Sequence, residues 1–349
     1  MDSVRSRPTG GRPDRGRRYS ARGRSAWRRL RDASRVLRRQ DRDRRFSPFE
    51  RVFWRTVAAL SSASRKPPAQ GRLMSPELYE WSNLILRWLH VVAAIYWVGQ
   101  TYLFAWLDGR FAQLESAADG SSDGVWMVHS GGFYRVEKAT QPAHLPPRLY
   151  WTKWESLLTG ISGIGLLVVY YFGGLMLPRD SELSLMAAVG IGIGTLVVGW
   201  FTYDTLWNSP LGKNEPVAVT LSFALLVVAM WGLSMTLSGR AAFMHVGAML
   251  GLIMVSNVWE RILPSQRQMI AALEKGEPID QRLATRAKLR SKHNGFLSIP
   301  VVLIMLSNHF PTTTYGHRAN WLMLAVFLLA GWGVRYFMKW LEDREPAAG

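Results

Sequence analysis

Long apolar runs alternate with shorter polar stretches along this chain, and seven runs are long enough to cross a membrane. A transmembrane helix needs about 20 predominantly apolar residues. A soluble core helix would also show a polar stripe at helical period, which the run LLTGISGIGLLVVYYFGGLML lacks. The pattern predicts an all-α fold, a polytopic integral membrane helix bundle with about seven transmembrane helices. The runs lie near residues 82–107, 157–177, 184–206, 217–237, 241–262, 294–310 and 320–340.

Two connections between these runs stand out. Residues 108–156 form a long loop that is rich in aromatic residues, and we expect it to be ordered against the bundle. Residues 263–293 carry seven Lys and Arg residues, and the positive-inside rule places this basic loop in the cytoplasm. Counting spans from it puts the N-terminus outside and the C-terminus inside. The predicted location is the bacterial inner (cytoplasmic) membrane, with membrane lipid as the surrounding partner.

Positive charge is concentrated at the start of the chain. The formal net charge is +18, and 22 of the 43 Lys and Arg residues lie in residues 1–73. Such a segment has little apolar surface to pack, so we expect it to be disordered, and no nucleic-acid partner is predicted. Met74 directly precedes the first span and is the expected start of the protein. The folded unit is then the transmembrane domain 74–345.

Ionisable residues inside predicted spans are costly and often mark a site. Arg87, His90, His245 and His309 come from three different spans and all fall in the predicted outer half of the membrane. One hypothesis is a haem b whose iron is bound by His90 with His245 or His309, while Arg87 pairs with a propionate or an anionic substrate. The alternative is that Arg87 reaches the interface and each histidine bonds a nearby backbone carbonyl. The absence of cysteine excludes a covalently attached haem c.

A second group of candidates lies on the predicted cytoplasmic side. His293 stands in the basic stretch RAKLRSKHNGF, and His129 and Tyr134 stand in VHSGGFYRVEK. A cationic mouth flanked by aromatic rings suits a flat organic anion, because charge and ring stacking both contribute to binding. We therefore predict these three as weaker substrate-binding candidates. For most of the neighbouring basic residues, setting the topology is the simpler role. No catalytic residue is assigned.

Several long motifs resemble the membrane domain of the bacterial cytochrome-c-linked urate oxidase (urate hydroxylase) family. They occur in order between about residues 78 and 340 and give the resemblance its specificity. They are ILRWLHVVAAIYWVG, GGFY followed by YWTKWES, HVGAMLGLIMVSNVWERILPSQRQM, RSKHNGFLSIPVVLIMLSNHFP and a downstream NW.

The resemblance implies oxidation of urate to 5-hydroxyisourate, with electrons passed to cytochrome c and not to oxygen. A typical member of that family adds one more span and a C-terminal cytochrome c domain on the periplasmic side. This sequence has neither, so the expected electron acceptor is a separate periplasmic cytochrome c. The alternative function is a non-catalytic membrane protein that binds haem b or transports a solute on the same scaffold.

Overall fold

The computed structural model describes residues 74–116, 124–142, 144–173, 176–178 and 181–344. The predictions made for residues 1–73 lie outside these described residues. Within them the fold is a helical bundle with one small β-hairpin. In chain order the elements are α1 (Pro76–Ser116), β1 (Val125–His129), β2 (Gly132–Val136), α2 (Trp154–Phe172), α3 (Leu185–Asn208), a 3-10 turn (Pro210–Lys213), α4 (Glu215–Thr236), α5 (Gly239–Ser256), a π-helical segment (Asn257–Ile262), α6 (Leu263–Glu274), α7 (Gln281–Ser307) and α8 (Asn320–Arg344).

Four of the helices begin at a residue whose side chain caps the first turn. A side-chain oxygen at this position accepts a hydrogen bond from a backbone N–H that has no partner within the helix. The polar residues between the apolar runs therefore fix where these helices start. The capping residues are Ser184 for α3, Asn214 for α4, Ser238 for α5 and Asp280 for α7.

The membrane-type helical fold is confirmed. Every predicted span falls mainly within a helix, and among the described residues five helices are long and apolar enough to cross a membrane. The remaining two predicted spans lie in the long helices α1 and α7. The five are α2, α3, α4, the continuous helix Gly239–Glu274 and α8.

The helix that contains α5 is the centre of the bundle. Its most apolar stretch is 78% buried within the protein, against 17% to 39% for the other four candidate spans. Phe243, Val246 and Leu250 are almost completely buried there. Because α5 packs against α2, α3, α4 and α7, residues on those helices that face α5 are brought into the interior.

The segment 263–293 is not the basic loop predicted from its charge. It forms α6, a short turn and the first half of α7, and the bend between the two helices contains Gly276 at φ +73°. Lys and Arg are good helix formers, so a connection rich in them can be helical, and its cytoplasmic location stays a prediction. Two of the seven basic side chains, Arg286 and Arg290, turn inward to bond Ser265 and Asp204, whereas the other five are exposed.

The connection that follows α1 is shorter than the predicted loop 108–156. Part of that loop belongs to α1, and part of it forms a β-hairpin. Helix α1 continues to Ser116, and the hairpin β1–β2 follows, with Val125 packed against Leu107 and Phe111 of α1. Its two-residue turn has Ser130 and Gly131 at positive φ, as in a type I′ turn. The expectation that this region packs against the bundle is confirmed for the hairpin.

Candidate functional site

His90 in α1 is held against α2 by one of its two ring nitrogens. Its Nδ1 lies 3.0 Å from the carbonyl oxygen of Thr159 and 3.1 Å from Oγ of Ser162. Since a carbonyl can only accept, Nδ1 carries the proton, and Ser162 donates its own proton to Leu158. Gly163 permits this close approach, because a Cβ there would lie 3.2 Å from the imidazole. Nε2 has no hydrogen-bond partner in the described chain, which is the arrangement typical of a metal-binding histidine.

His245 in α5 is completely buried and uses both ring nitrogens. Nδ1 donates to the carbonyl oxygen of Ala241 at 2.7 Å, so Nε2 is unprotonated and accepts from the hydroxyl of Tyr171 at 2.9 Å. The imidazole also lies directly against Gly192 of α3. His245 would have to lose its bond to Tyr171 before it could bind a metal.

The predicted outer-half site is not assembled in this structure. His90 contacts α2 around Ser162, whereas His245 contacts it at Tyr171, about 13 Å further along the helix axis. Arg87 and His309 are exposed, and the guanidinium of Arg87 bonds only its helix neighbour Asn83. Within the described residues no hydrogen bond, ion pair or ring contact joins any two of the four candidates.

The histidines predicted as haem ligands therefore fit a haem only in part. His90 offers a fixed ring with a free nitrogen, whereas the pair of His90 with His245 is not formed. A haem b bound by His90 stays a prediction. His129 and Tyr134 lie on opposite strands of the exposed hairpin, and neither contacts His293.

His293 in α7 is the candidate that lines a large cavity. The cavity has a volume of about 990 Å³ and lies between α3, α4, α5, α7 and α8. Trp207 flanks the imidazole with its ring centre 4.1 Å away, and the Tyr203 ring approaches edge-on at 5.9 Å. Nδ1 of His293 is 2.7 Å from the Tyr203 hydroxyl, while Nε2 is buried without a hydrogen-bond partner.

A chain of side-chain bonds fixes which nitrogen of His293 carries the proton. The amide of Asn294 donates to the backbone carbonyl of Met254 at 3.0 Å, so its Oδ1 accepts from Asn257 at 2.9 Å. The same Nδ2 of Asn257 donates to the Tyr203 hydroxyl at 2.9 Å. Tyr203 has one proton, which it gives to Nδ1 of His293. The neutral imidazole therefore carries its proton on Nε2, which is itself buried.

A buried charge cluster lies behind Tyr203. Asp204 forms ion pairs with Arg261 and with Arg290, the latter at 3.0 Å, and Arg290 also donates to Asn208 at 3.1 Å. Only 1% of the Arg290 side chain is exposed, and its guanidinium lies 4.9 Å from the centre of the Tyr203 ring. Glu260 also interacts electrostatically with Arg261, so the two arginines are matched by two carboxylates, and Lys292 is a cationic side chain that lines the cavity itself.

The charged residues of the cavity lie where α3 ends and α4 begins, whereas Thr195 and Thr236 line it further along. Lys292 and Glu215 form an ion pair of 2.6 Å at this end, and the indole of Trp207 donates to Ser222 at 3.2 Å. Most of the remaining lining is aliphatic, with glycines among it. The cavity can therefore bind a flat, anionic head at one end and apolar groups along the rest.

Sequence reasoning placed His293 among the candidates but missed its partners. Tyr203 and Asp204 lie about 90 residues away in the third predicted span, and Asn257 lies in the fifth. An aspartate in the apolar context FTYDTLWN was a usable signal, because a carboxylate in a span needs a partner. The identity of that partner depends on how the helices pack.

The fold is that of a polytopic helical membrane protein, and one end of its cavity is lined by a histidine and aromatic rings. The chain belongs to the urate oxidase N-terminal family, whose model matches residues 76–348. Comparisons with curated proteins and with solved structures find no match.

Proposed function

We propose that this protein oxidises urate to 5-hydroxyisourate in the bacterial inner membrane and passes the electrons to a separate cytochrome c. In this reaction urate and water give 5-hydroxyisourate, two protons and two electrons. Cytochrome c accepts one electron at a time, so two molecules are reduced for each urate. Family membership supports the substrate, and the observation that supports the site is His293, which Tyr203 holds in the lining of a cavity beside the buried Arg290.

Urate binds in this proposal at the polar end of the cavity. It is a planar anion, so the Trp207 ring stacks on it and the charge of Arg290 stabilises it through the intervening Tyr203 ring. The His293 ring lines the same end of the cavity and contacts the purine there. These residues bind and orient the substrate, and the hydrogen-bonded neighbours of His293 hold its ring in place before binding.

His90 has a separate role in the proposal. Its side chain contacts α2 about midway along that helix. A haem b bound there would supply one-electron transfer between the two faces of the membrane. If the N-terminus lies outside and the C-terminus in the cytoplasm, as the Lys and Arg distribution predicts, the His293 end of the cavity is on the cytoplasmic side. His129, Tyr134, Arg87 and His309 are not part of the binding site, because each is exposed away from the cavity.

One observation favours a second candidate, a non-catalytic protein that binds haem b or transports a solute. The Nδ1 bond of His90 to a backbone carbonyl is the arrangement that orients a metal-binding histidine. This arrangement requires no urate. The two candidates differ in whether urate delivers electrons to the protein.

The deciding experiment is urate-dependent reduction of added cytochrome c by membranes that contain the protein. We expect reduction by wild type, a large loss in His293→Ala, and retention in the exposed control His309→Ala. If wild type shows haem absorbance but no reduction, the second candidate is correct. Loss in both variants would mean that the cavity is not the urate site.

A further inference from the structure

The cavity is far larger than a purine ligand requires. Pockets of roughly 300–1,000 Å³ hold drug-sized ligands, and this one, at about 990 Å³, is at the upper end. Its lining residues on α4 run from Glu215 to Thr236, which is about 31 Å along the helix axis. That length matches the hydrocarbon core of a bilayer, about 30 Å. A head group at the His293 end leaves most of the cavity unfilled.

The wall of the cavity is open towards the bilayer. Val198 and Val228 line it and are each 63% exposed, while Leu250 and Ile253 line its base and are 1% and 4% exposed. The same space therefore reaches from the lipid-facing surface of α3 and α4 to the buried centre of α5. Water does not fill apolar space of this kind readily, and an empty wall loses its dispersion contacts.

Glycines keep this space open. A Cβ added at Gly194 of α3, Gly232 of α4 or Gly333 of α8 would meet no atom within 4 Å. These glycines line the cavity without being required for close helix packing, unlike Gly199, where a Cβ would lie 2.5 Å from Sδ of Met249. Larger side chains at the open positions would fill the cavity and would not displace a neighbour.

We propose that the apolar part of the cavity binds a long hydrocarbon chain that enters from the bilayer between α3 and α4. The chain is that of a phospholipid or of an isoprenoid quinone, and it packs against Leu250 and Ile253 while its head group stays at the lipid-facing opening. This site goes beyond the proposed urate oxidation and does not depend on it. It is recognised by its apolar wall, its length and its lateral opening.

The test uses light-activated lipids in phosphatidylcholine vesicles that contain the full-length protein. One sample carries a phosphatidylcholine with a diazirine in its acyl chain, and another carries an isoprenoid quinone with a diazirine in its tail. Crosslinks are mapped by mass spectrometry. We expect labelling of Leu250 or Ile253, which no chain on the outer surface can reach. Labelling by one probe alone identifies the source of the chain.

Cavity-filling variants provide the control for specificity. We expect Gly194→Leu and Gly232→Leu to lower labelling of the buried residues several-fold. Gly190→Leu should leave it unchanged, since Gly190 lies one turn away on α3, is exposed and does not line the cavity. If a leucine variant fails to fold, the smaller substitution Gly194→Val or Gly232→Val is tested in its place. No labelling of Leu250 and Ile253 by either probe, or equal labelling in filled variants and wild type, would overturn the proposal.

Discussion

The hydroxyl of Tyr203 donates its proton to Nδ1 of His293 across 2.7 Å, and this bond determines that the free Nε2 of the histidine carries a proton. The direction of this bond follows from the backbone carbonyl of Met254, which can only accept a hydrogen bond. This carbonyl fixes the orientation of the Asn294 amide, and Asn294 in turn fixes the orientation of Asn257. A histidine held in this tautomer is a hydrogen-bond donor and not a base at Nε2.

Replacing Tyr203 with phenylalanine removes the proton that selects the tautomer. We expect the catalytic efficiency for urate to fall about tenfold, which corresponds to about 1.4 kcal/mol of transition-state free energy. Nitrogen NMR of labelled histidine should show mixed protonation of the His293 ring. Tyr336→Phe is the matched control, since Tyr336 also lines the cavity and has no bond to His293. Equal losses of catalytic efficiency in Tyr203→Phe and Tyr336→Phe would argue against a role of the His293 tautomer.

Asp204 is expected to contribute strongly to stability. Asp204→Asn leaves two arginines without their carboxylate, and removing one partner of a buried ion pair costs about 3–5 kcal/mol. Thermal unfolding in detergent should show a large decrease in transition temperature. Asp343→Asn breaks the exposed pair with Lys339 and should cost less than about 1 kcal/mol. Similar decreases for the two variants would contradict the assignment of Asp204 as the centre of the buried cluster.

Gly192 and Gly190 make a pair with opposite expected effects. Gly192→Ala places a methyl group against the His245 ring, and overpacking of this kind costs about 1–3 kcal/mol. Gly190→Ala meets no atom within 4 Å and should be neutral or slightly stabilising, because alanine favours the helix. Measuring the free energy of unfolding of the two variants tests both expectations. A destabilised Gly190→Ala would show that α3 tolerates no substitution, whatever the contact with His245.

His90 can be tested without any enzyme assay. If its free Nε2 binds a haem iron, His90→Ala should abolish the haem absorbance of the purified protein. His245→Ala should retain at least part of it, because His245 is bonded to Tyr171 in the structure. An unchanged spectrum in His90→Ala would remove the haem assignment from this residue. Loss in His245→Ala alone would mean that Tyr171 leaves His245 when haem binds.

The sequence allowed the fold to be predicted because the apolar runs directly set the helices. It did not reveal the site, since the bonds that define it join residues far apart in the chain. Tyr203 and His293 are 90 residues apart, and Arg290 was interpreted as one of several basic residues that set topology, although it is buried against Asp204. Charge counting cannot tell a basic residue that faces solvent from one that packs inward on the same helix.

The same reasoning explains why the predicted histidine cluster did not form. The depth of each histidine in the membrane was predicted by counting residues from the apolar end of its span. Helix α1 extends over 41 residues, about 60 Å, and so exceeds the membrane thickness. His90 consequently lies level with the middle of α2 and not near one end of it. The position of a long helix along its axis depends on its packing partners.

The π-helical segment Asn257–Ile262 changes the rotational phase of the central helix. Each residue of an α-helix turns by about 100°, and a π-bulge accommodates one extra residue without breaking the helix. Asn257 faces the histidine end of the cavity from the start of this segment, and Arg261 reaches Asp204 from within it. Deleting a single residue here would preserve a continuous helix but rotate one partner away from the other, so the site is encoded by chain length as well as by side-chain identity.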